Sequence, residues 1–217
     1  MEIFNTEMKE IHNIIGKKLE EGLDGFKFNK NRKRLERKNE LKIDSIVWDG
    51  KKYHSRKNLI LSFTILIRHK IVDELYEKLF DCKFETENLI WFNDNRLYEN
   101  GDETFDIHTM EELNNVIEKT VKYYKNEGNN YFNQFNKDID FYKYTCIDKR
   151  QDAWAENVSL KRIILCYLVD KTNITEIHKY NIECCKSVPS GTDYYLNKYY
   201  NGIKIINEYY GEEIVMI

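Results

Sequence analysis

The sequence predicts an α+β fold, and three observations carry the prediction. From Asn58 to Arg68, Leu59, Leu61, Phe63, Ile65 and Ile67 alternate with the residues between them, the two-residue period of a strand. Near the N-terminus, Phe4, Met8, Ile11, Ile15 and Leu19 recur at helical spacing. Strand signals gather between about residues 25 and 68, and helix signals dominate after 109. The expected architecture is an N-terminal helix, an antiparallel sheet of about four strands and a helical C-terminal half. These form one compact unit, with a sheet-bearing part over about 1–108 and a helical part over about 109–217.

Taken in order, residues 3–21 predict an amphipathic helix that Gly22 and Gly25 end. Phe26 and Phe28 then alternate with lysines, and Asn29 to Asn31 suit a turn. A charged strand follows near Lys33 to Lys38, whose lone Leu35 predicts a sheet edge or a solvated face. Leu41, Ile43, Ser45 and Val47 share one face of the next strand, with Ile46 and Trp48 on the other. Asp49-Gly50 is a turn signal. Ile60 and Leu66 add apolar cover to the second face of Asn58–Arg68, which predicts a central strand.

Ile71, Val72, Leu75, Leu79 and Phe80 predict a short helix, and Leu89 to Phe92 a further strand. Asn93 to Asp106 reads as an acidic solvated loop. Beyond Thr109, Leu113, Val116, Ile117, Thr120 and Tyr124 share a helix face that Gly128 to Asn130 break. Ser159 and Asn173 stand where caps of two later helices are expected. Pro189 to Gly191 precede a last helical pair, Tyr194–Tyr200 and Ile203–Tyr210.

Length and composition narrow the class. A chain of 217 residues with 41% hydrophobic and 14% aromatic content buries a sizeable core and is not disordered, despite 33% charged residues. No apolar run approaches the length of a membrane span, and the N-terminus shows no signal peptide. The five cysteines, Cys82, Cys146, Cys166, Cys184 and Cys185, are odd in number and scattered, which predicts reduced thiols in a cytoplasm. The vicinal pair Cys184-Cys185 is expected to pack within a helix. Few alanines and one proline among abundant Asn, Lys, Ile and Tyr point to an AT-rich bacterial genome.

Charge is the most informative feature. Net charge is −3, yet between Gly25 and Lys70 basic residues outnumber acidic ones by ten. From Ile71 to Glu118 the acidic excess is eleven. Such asymmetry predicts surfaces for charged partners rather than a reaction.

The catalytic patterns sought are absent. His12, His54, His69, His108 and His178 form no metal-ligand spacing, no CxxC occurs, and no phosphate-binding glycine loop or GxSxG elbow is present. No cofactor is expected. Asp49-Gly50-Lys51 and Glu36-Arg37-Lys38 match the acid–spacer–lysine pattern of metal-dependent nucleases, where the carboxylate binds metal and the lysine steadies water or phosphate. Such pairs also arise by chance in so charged a chain. The tyrosine pairs 194-195, 199-200 and 209-210 suit either a contact surface or packing between helices.

The segment Leu23-Asp24-Gly25-Phe26-Lys27, followed by charged hairpin strands and Leu59-Ile60-Leu61-Ser62-Phe63-Thr64-Ile65, resembles the bacterial domain of unknown function family 4304 over roughly residues 8–70. The resemblance implies a small cytoplasmic α+β protein. Proteins of that kind are associated with immunity to secreted toxins, and the resemblance carries no catalytic residues.

The leading expectation is therefore a non-enzymatic protein-binding protein, an immunity protein that neutralises a toxin, with no membrane contact. Its partner-binding residues would be Glu85, Glu87, Asp94, Asp102, Glu103 and Asp106, which present carboxylates to a basic cleft. The alternative is a nucleic-acid-binding protein or metal-dependent nuclease that uses the basic sheet. Its patch would be Arg32, Lys33, Arg34 and Arg37, with Phe26, Phe28, Trp48 and Tyr53 interleaved as stacking residues.

Overall fold

Ile11, Ile15 and Leu19, four residues apart, form the buried stripe of α1 (Met8–Gly22), which a short 3-10 turn at Ile3–Asn5 precedes. The structure is a computed structural model, and it describes residues 2–82, 90–92, 97–98, 103–149, 156–187, 192–212 and 214. The protein is α+β, and the chain divides into two compact units. One comprises Met1–Asn39, Ile43–Ile67 and Trp91–Gln134; the other comprises Glu40–Lys42, Arg68–Ile90 and Phe135–Ile217. The division does not fall at residue 108, because the helix after Thr109 belongs with the sheet.

The sheet runs in the order β1 (Lys27–Asn29), β2 (Arg34–Lys38), β3 (Lys42–Tyr53), β4 (Asn58–His69) and β5 (Ile90–Phe92). A further strand, β6 (Phe105–Ile107), pairs with the start of β4. Registers are antiparallel: Phe28 lies opposite Leu35, Leu35 opposite Ile46, and Leu61 opposite Phe105. As expected, the alternate residues Leu59, Leu61, Phe63, Ile65 and Ile67 of β4 are all buried. The hydroxyl of Tyr98 accepts from the Phe63 N–H at 2.7 Å, and Phe105 packs edge-on to Phe63.

Two sheet expectations fail. β2 is neither an edge nor solvated, for it lies between β1 and β3 with Arg34, Leu35 and Glu36 buried. Its charges pair with each other, which a count of apolar residues does not show. Asp49-Gly50 makes no turn either. β3 runs through both, and residues 54–57 turn instead. Gly50 is where Met8, Leu59 and Leu61 approach the backbone.

α1 covers the sheet face that carries Phe28, Leu35, Ile46 and Trp48. A Cβ added at Gly16 would meet the Phe28 ring at 2.4 Å, and the Trp48 indole N–H donates to His12 Nδ1 at 2.8 Å. α3 (Met110–Tyr123) begins with a capping box in which Thr109 and Glu112 satisfy each other's backbone amides. It packs on α1, where Gly22 makes room for Val121. Gly128 does not break the chain's helical course. A π-turn over Tyr124–Gly128 leads into α4 (Asn129–Asn133), and Gly128 is buried against the Tyr124 ring.

The second unit contains α2 (Lys70–Phe80), α5 (Asp138–Tyr142), a π-turn at Lys143–Ile147, α6 (Glu156–Val169), α7 (Ile174–Lys186) and α8 (Thr192–Tyr210). α6 is buried all round from Asn157 to Tyr167, because α2, α5, α7 and α8 pack about it. Ser159 is therefore inside α6 rather than capping it. Asn173 does precede α7, but its side chain donates to the Tyr142 hydroxyl and Asp170 instead of capping. α8 is one helix, not a pair. Gly202, at its middle, leaves space for Leu160 of α6. Among the described residues, no helix is long and apolar enough to cross a membrane.

Candidate anion-binding hairpin face

β1 and β2 are joined by a turn at residues 30–33, and β3 and β4 by a turn at residues 54–57. With β1, β2, β3 and β4 adjacent and antiparallel, both turns point toward the same end of the sheet; the first stands level with Val47 and Trp48, and β3 continues to Tyr53 before the second. The two hairpins carry Lys30, Lys33, Lys51, Arg56 and Lys57, all exposed. Among the described residues, none of the five is ion-paired with a carboxylate. Lys51 lies 5.3 Å from the centre of the exposed Tyr53 ring.

Each turn closes on a lysine in the left-handed backbone region, Lys33 at φ 49° and Lys57 at φ 51°. A side chain there costs roughly 1 kcal/mol, a strain that glycine would relieve.

Arg32, Arg34 and Arg37 are committed elsewhere. Arg34 is buried and its guanidinium binds Glu36 at 2.7 Å. Arg37 binds Asp44 at 2.9 Å and lies over the rings of Phe26 and Phe132, 4.7 and 5.2 Å from their centres. Arg32 reaches Glu36 at 3.5 Å. Glu36 also accepts from Asn29 at 3.3 Å. Burial works to raise its carboxyl, but Asn29, Arg34 and Lys38 outweigh this and hold it below the usual range. Of the four basic residues singled out by sequence, then, Lys33 alone is exposed and unpaired among the described residues. Lys52 is also committed: its amine donates to the carbonyls of Phe4 and Thr6.

Lys33 acts on its surroundings. Burial lowers His12, the Lys33 charge lowers it further, and Asp49 works the other way. His12, Trp48 and Phe28 thus form a ring-lined wall behind the first turn, with Phe28 5.9 Å from Trp48. Beside β1 runs a groove of about 640 Å³ lined by Lys27, Phe28, Asn29, Lys30, Glu36 and Lys38. Glu7 just before α1, Glu10 on its first turn, and Asp49 on β3 add negative charge to this unit.

Of the six acidic candidates, Glu85, Glu87, Asp94 and Asp102 lie outside the described residues. Glu103 is exposed. Asp106 lies on β6 rather than in a loop, where it accepts from Asn58 Nδ2 at 2.5 Å and stands 3.5 Å from His108.

The nuclease pattern finds little support. Glu36 is consumed by its cations. Asp49 and Lys51, two apart on β3, share a side of the strand, but among the described residues no group of three or more His, Cys, Asp or Glu is placed to hold a metal ion. His69 offers no free nitrogen for base chemistry. Its Nδ1 accepts from the Val72 N–H, capping α2, and its Nε2 bonds Asp138 at 2.8 Å.

Lys30, Lys51, Arg56 and Lys57 were counted in the basic excess but not distinguished as a site. The signal that distinguishes them is register: only paired strands reveal which charged residues share an end. Comparison with protein-family models, with curated proteins and with solved structures finds no match.

Proposed function

We propose that the sheet-bearing unit is a non-enzymatic module that binds the phosphate backbone of nucleic acid through its two hairpin turns. The observation that carries this is that Lys30, Lys33, Lys51, Arg56 and Lys57 lie along the two hairpins that point to one end of the sheet, exposed and without a carboxylate partner among the described residues. Exposed lysines and arginines on mobile-length side chains neutralise phosphates and release counterions, which requires no base readout. Tyr53 offers a stacking surface beside Lys51.

Docking of a toxin through an acidic face is the competing proposal. Among the described residues it draws support from Glu103 alone, since Asp106 is already engaged by Asn58.

The test is fluorescence anisotropy of a labelled single strand and a labelled duplex between about 50 and 200 mM salt. Binding with a log–log salt slope on the order of −4 is expected if the five cations engage. Lys33→Glu with Lys57→Glu should reduce affinity at least tenfold, while Lys179→Glu with Lys186→Glu on α7 should leave it unchanged. Absence of binding at the lower salt, or equal losses in both pairs, overturns the proposal.

A further inference from the structure

Cys146, in the π-turn after α5, and Cys166, on α6, are both fully buried in the helical unit, and their sulfurs lie 3.9 Å apart. That is van der Waals contact. The Cys166 S–H points at the Cys146 sulfur, the Thr145 hydroxyl lies 3.6 Å from it, and the Cys146 S–H points at the Arg162 carbonyl at 3.8 Å. The Cys166 and Thr145 hydrogen bonds and the Arg162 charge favour Cys146 as the thiolate, against the effect of burial. The hydrogen bond to Cys146, and then burial, raise Cys166 and keep it protonated. Cys146 is thus the more acidic of the two thiols, with Cys166 in contact with it.

We propose that Cys146 and Cys166 are an oxidative modification site, closing to a reversible disulfide in the folded protein when it meets a peroxide. The Cys146 thiolate attacks one peroxide oxygen, the O–O bond breaks, and the departing hydroxide takes a proton to leave as water. Cys146 is then a sulfenic acid. The Cys166 sulfur attacks it, the S–O bond breaks, and the Cys166 proton leaves with the hydroxyl as a second water. Two thiols are oxidised and one peroxide is reduced. The sulfurs must approach to about 2.05 Å, a movement of less than 2 Å that side-chain rotation and a shift of the π-turn supply. The vicinal Cys184 and Cys185 are poorer candidates. Neighbours on α7 point about 100° apart, and joining them would require unwinding that helix.

The test treats the intact chain with hydrogen peroxide in native buffer, then alkylates, digests without reductant and maps the products by mass spectrometry. Thiols should fall from five to three, with one peptide pair joined through Cys146 and Cys166, reversed by dithiothreitol. Closing this twenty-residue span should raise the Tm by on the order of 5–10 °C. In Cys166→Ala the crosslink should vanish, and dimedone should trap the sulfenic acid on Cys146. Should that variant not fold, the wild-type map decides alone. Crosslinking through other cysteines, over-oxidation of Cys146 without a crosslink, or five intact thiols after treatment would each overturn the proposal.

Discussion

The two units treat buried charge differently. In the sheet-bearing unit, one pair, Arg34–Glu36, is buried, and the pairs beside it lie at the fringe: Arg32 on Glu36 and Arg37 on Asp44 each keep nearly a third of the side chain in solvent. In the helical unit the charges are interior. Asp73 of α2 lies 2.6 Å from Arg68 and 2.7 Å from Lys161 of α6, and none of the three side chains is more than 8% exposed. A fringe pair is screened and contributes little. An interior pair costs much to desolvate, and removing one partner strands the other. The difference shows why sequence charge is a poor map of surface charge. The sheet unit absorbs Arg32, Arg34 and Arg37 into pairs and leaves its turn cations Lys33, Arg56 and Lys57 without a carboxylate among the described residues, while the helical unit hides a charged cluster that looks, in the sequence, like solvated residues.

The sharpest way to break this comparison is Asp73→Ala. It leaves Arg68 and Lys161 buried without their shared carboxylate and should cost about 3–5 kcal/mol by urea unfolding. A loss below 1 kcal/mol would show that the interior cluster is solvated. In the sheet unit the matching liability is apolar. Phe63→Ala should cost about 3–5 kcal/mol, and more than any single exposed turn charge.

Gly202→Ala tests the helical core more finely. The new methyl would meet Leu160 Cδ1 at 2.4 Å, so a loss of about 1–3 kcal/mol and a lower Tm are expected. Acid tests the same interior. His178 is fully buried, its Nδ1 bonded to the Tyr199 hydroxyl at 2.9 Å, and burial lowers its pKa below the ordinary 6.5. The unfolded chain therefore takes up this proton first. Stability contributed by neutral His178 is present above about pH 6.5 and is lost as pH falls below it. His178→Gln should flatten that part of the stability–pH curve; an unchanged slope would place the loss at the other two lowered histidines, His12 and His69.

The smallest expected effect on stability separates function from fold. Lys33→Gly and Lys57→Gly relieve the left-handed strain at the two turns, so each should be neutral or stabilising by up to roughly 1 kcal/mol. Both should nevertheless weaken oligonucleotide binding. A variant that is more stable and binds as before would sever the turn lysines from the proposed function.

Some of this protein was legible in the amino-acid order alone. The alternation of Leu59, Leu61, Phe63, Ile65 and Ile67 determines β4, since burial on one sheet face demands period two. The stripe of α1 was equally local. Errors arose where local signals are ambiguous. Gly50 and Gly128 both read as breaks, yet each is a close approach of a neighbouring side chain, of Met8 and Tyr124 respectively. A glycine's missing side chain serves a turn or a tight contact equally well, and sequence does not distinguish them. Ser159 read as a cap because its burial depends on four helices it meets only in the folded unit.

The candidate site divides in the same manner. The sequence by itself determined the basic excess between Gly25 and Lys70, because charge follows directly from residue identity. Which cations stay free was decided only by the tertiary structure. Strand register set Arg34 beside Glu36 and Arg37 beside Asp44, and chain reversal set Lys33 and Lys57 in two turns that point to one end of the sheet. Pairing depends on distance in space, and a few ångströms separate a neutralised arginine from an exposed lysine.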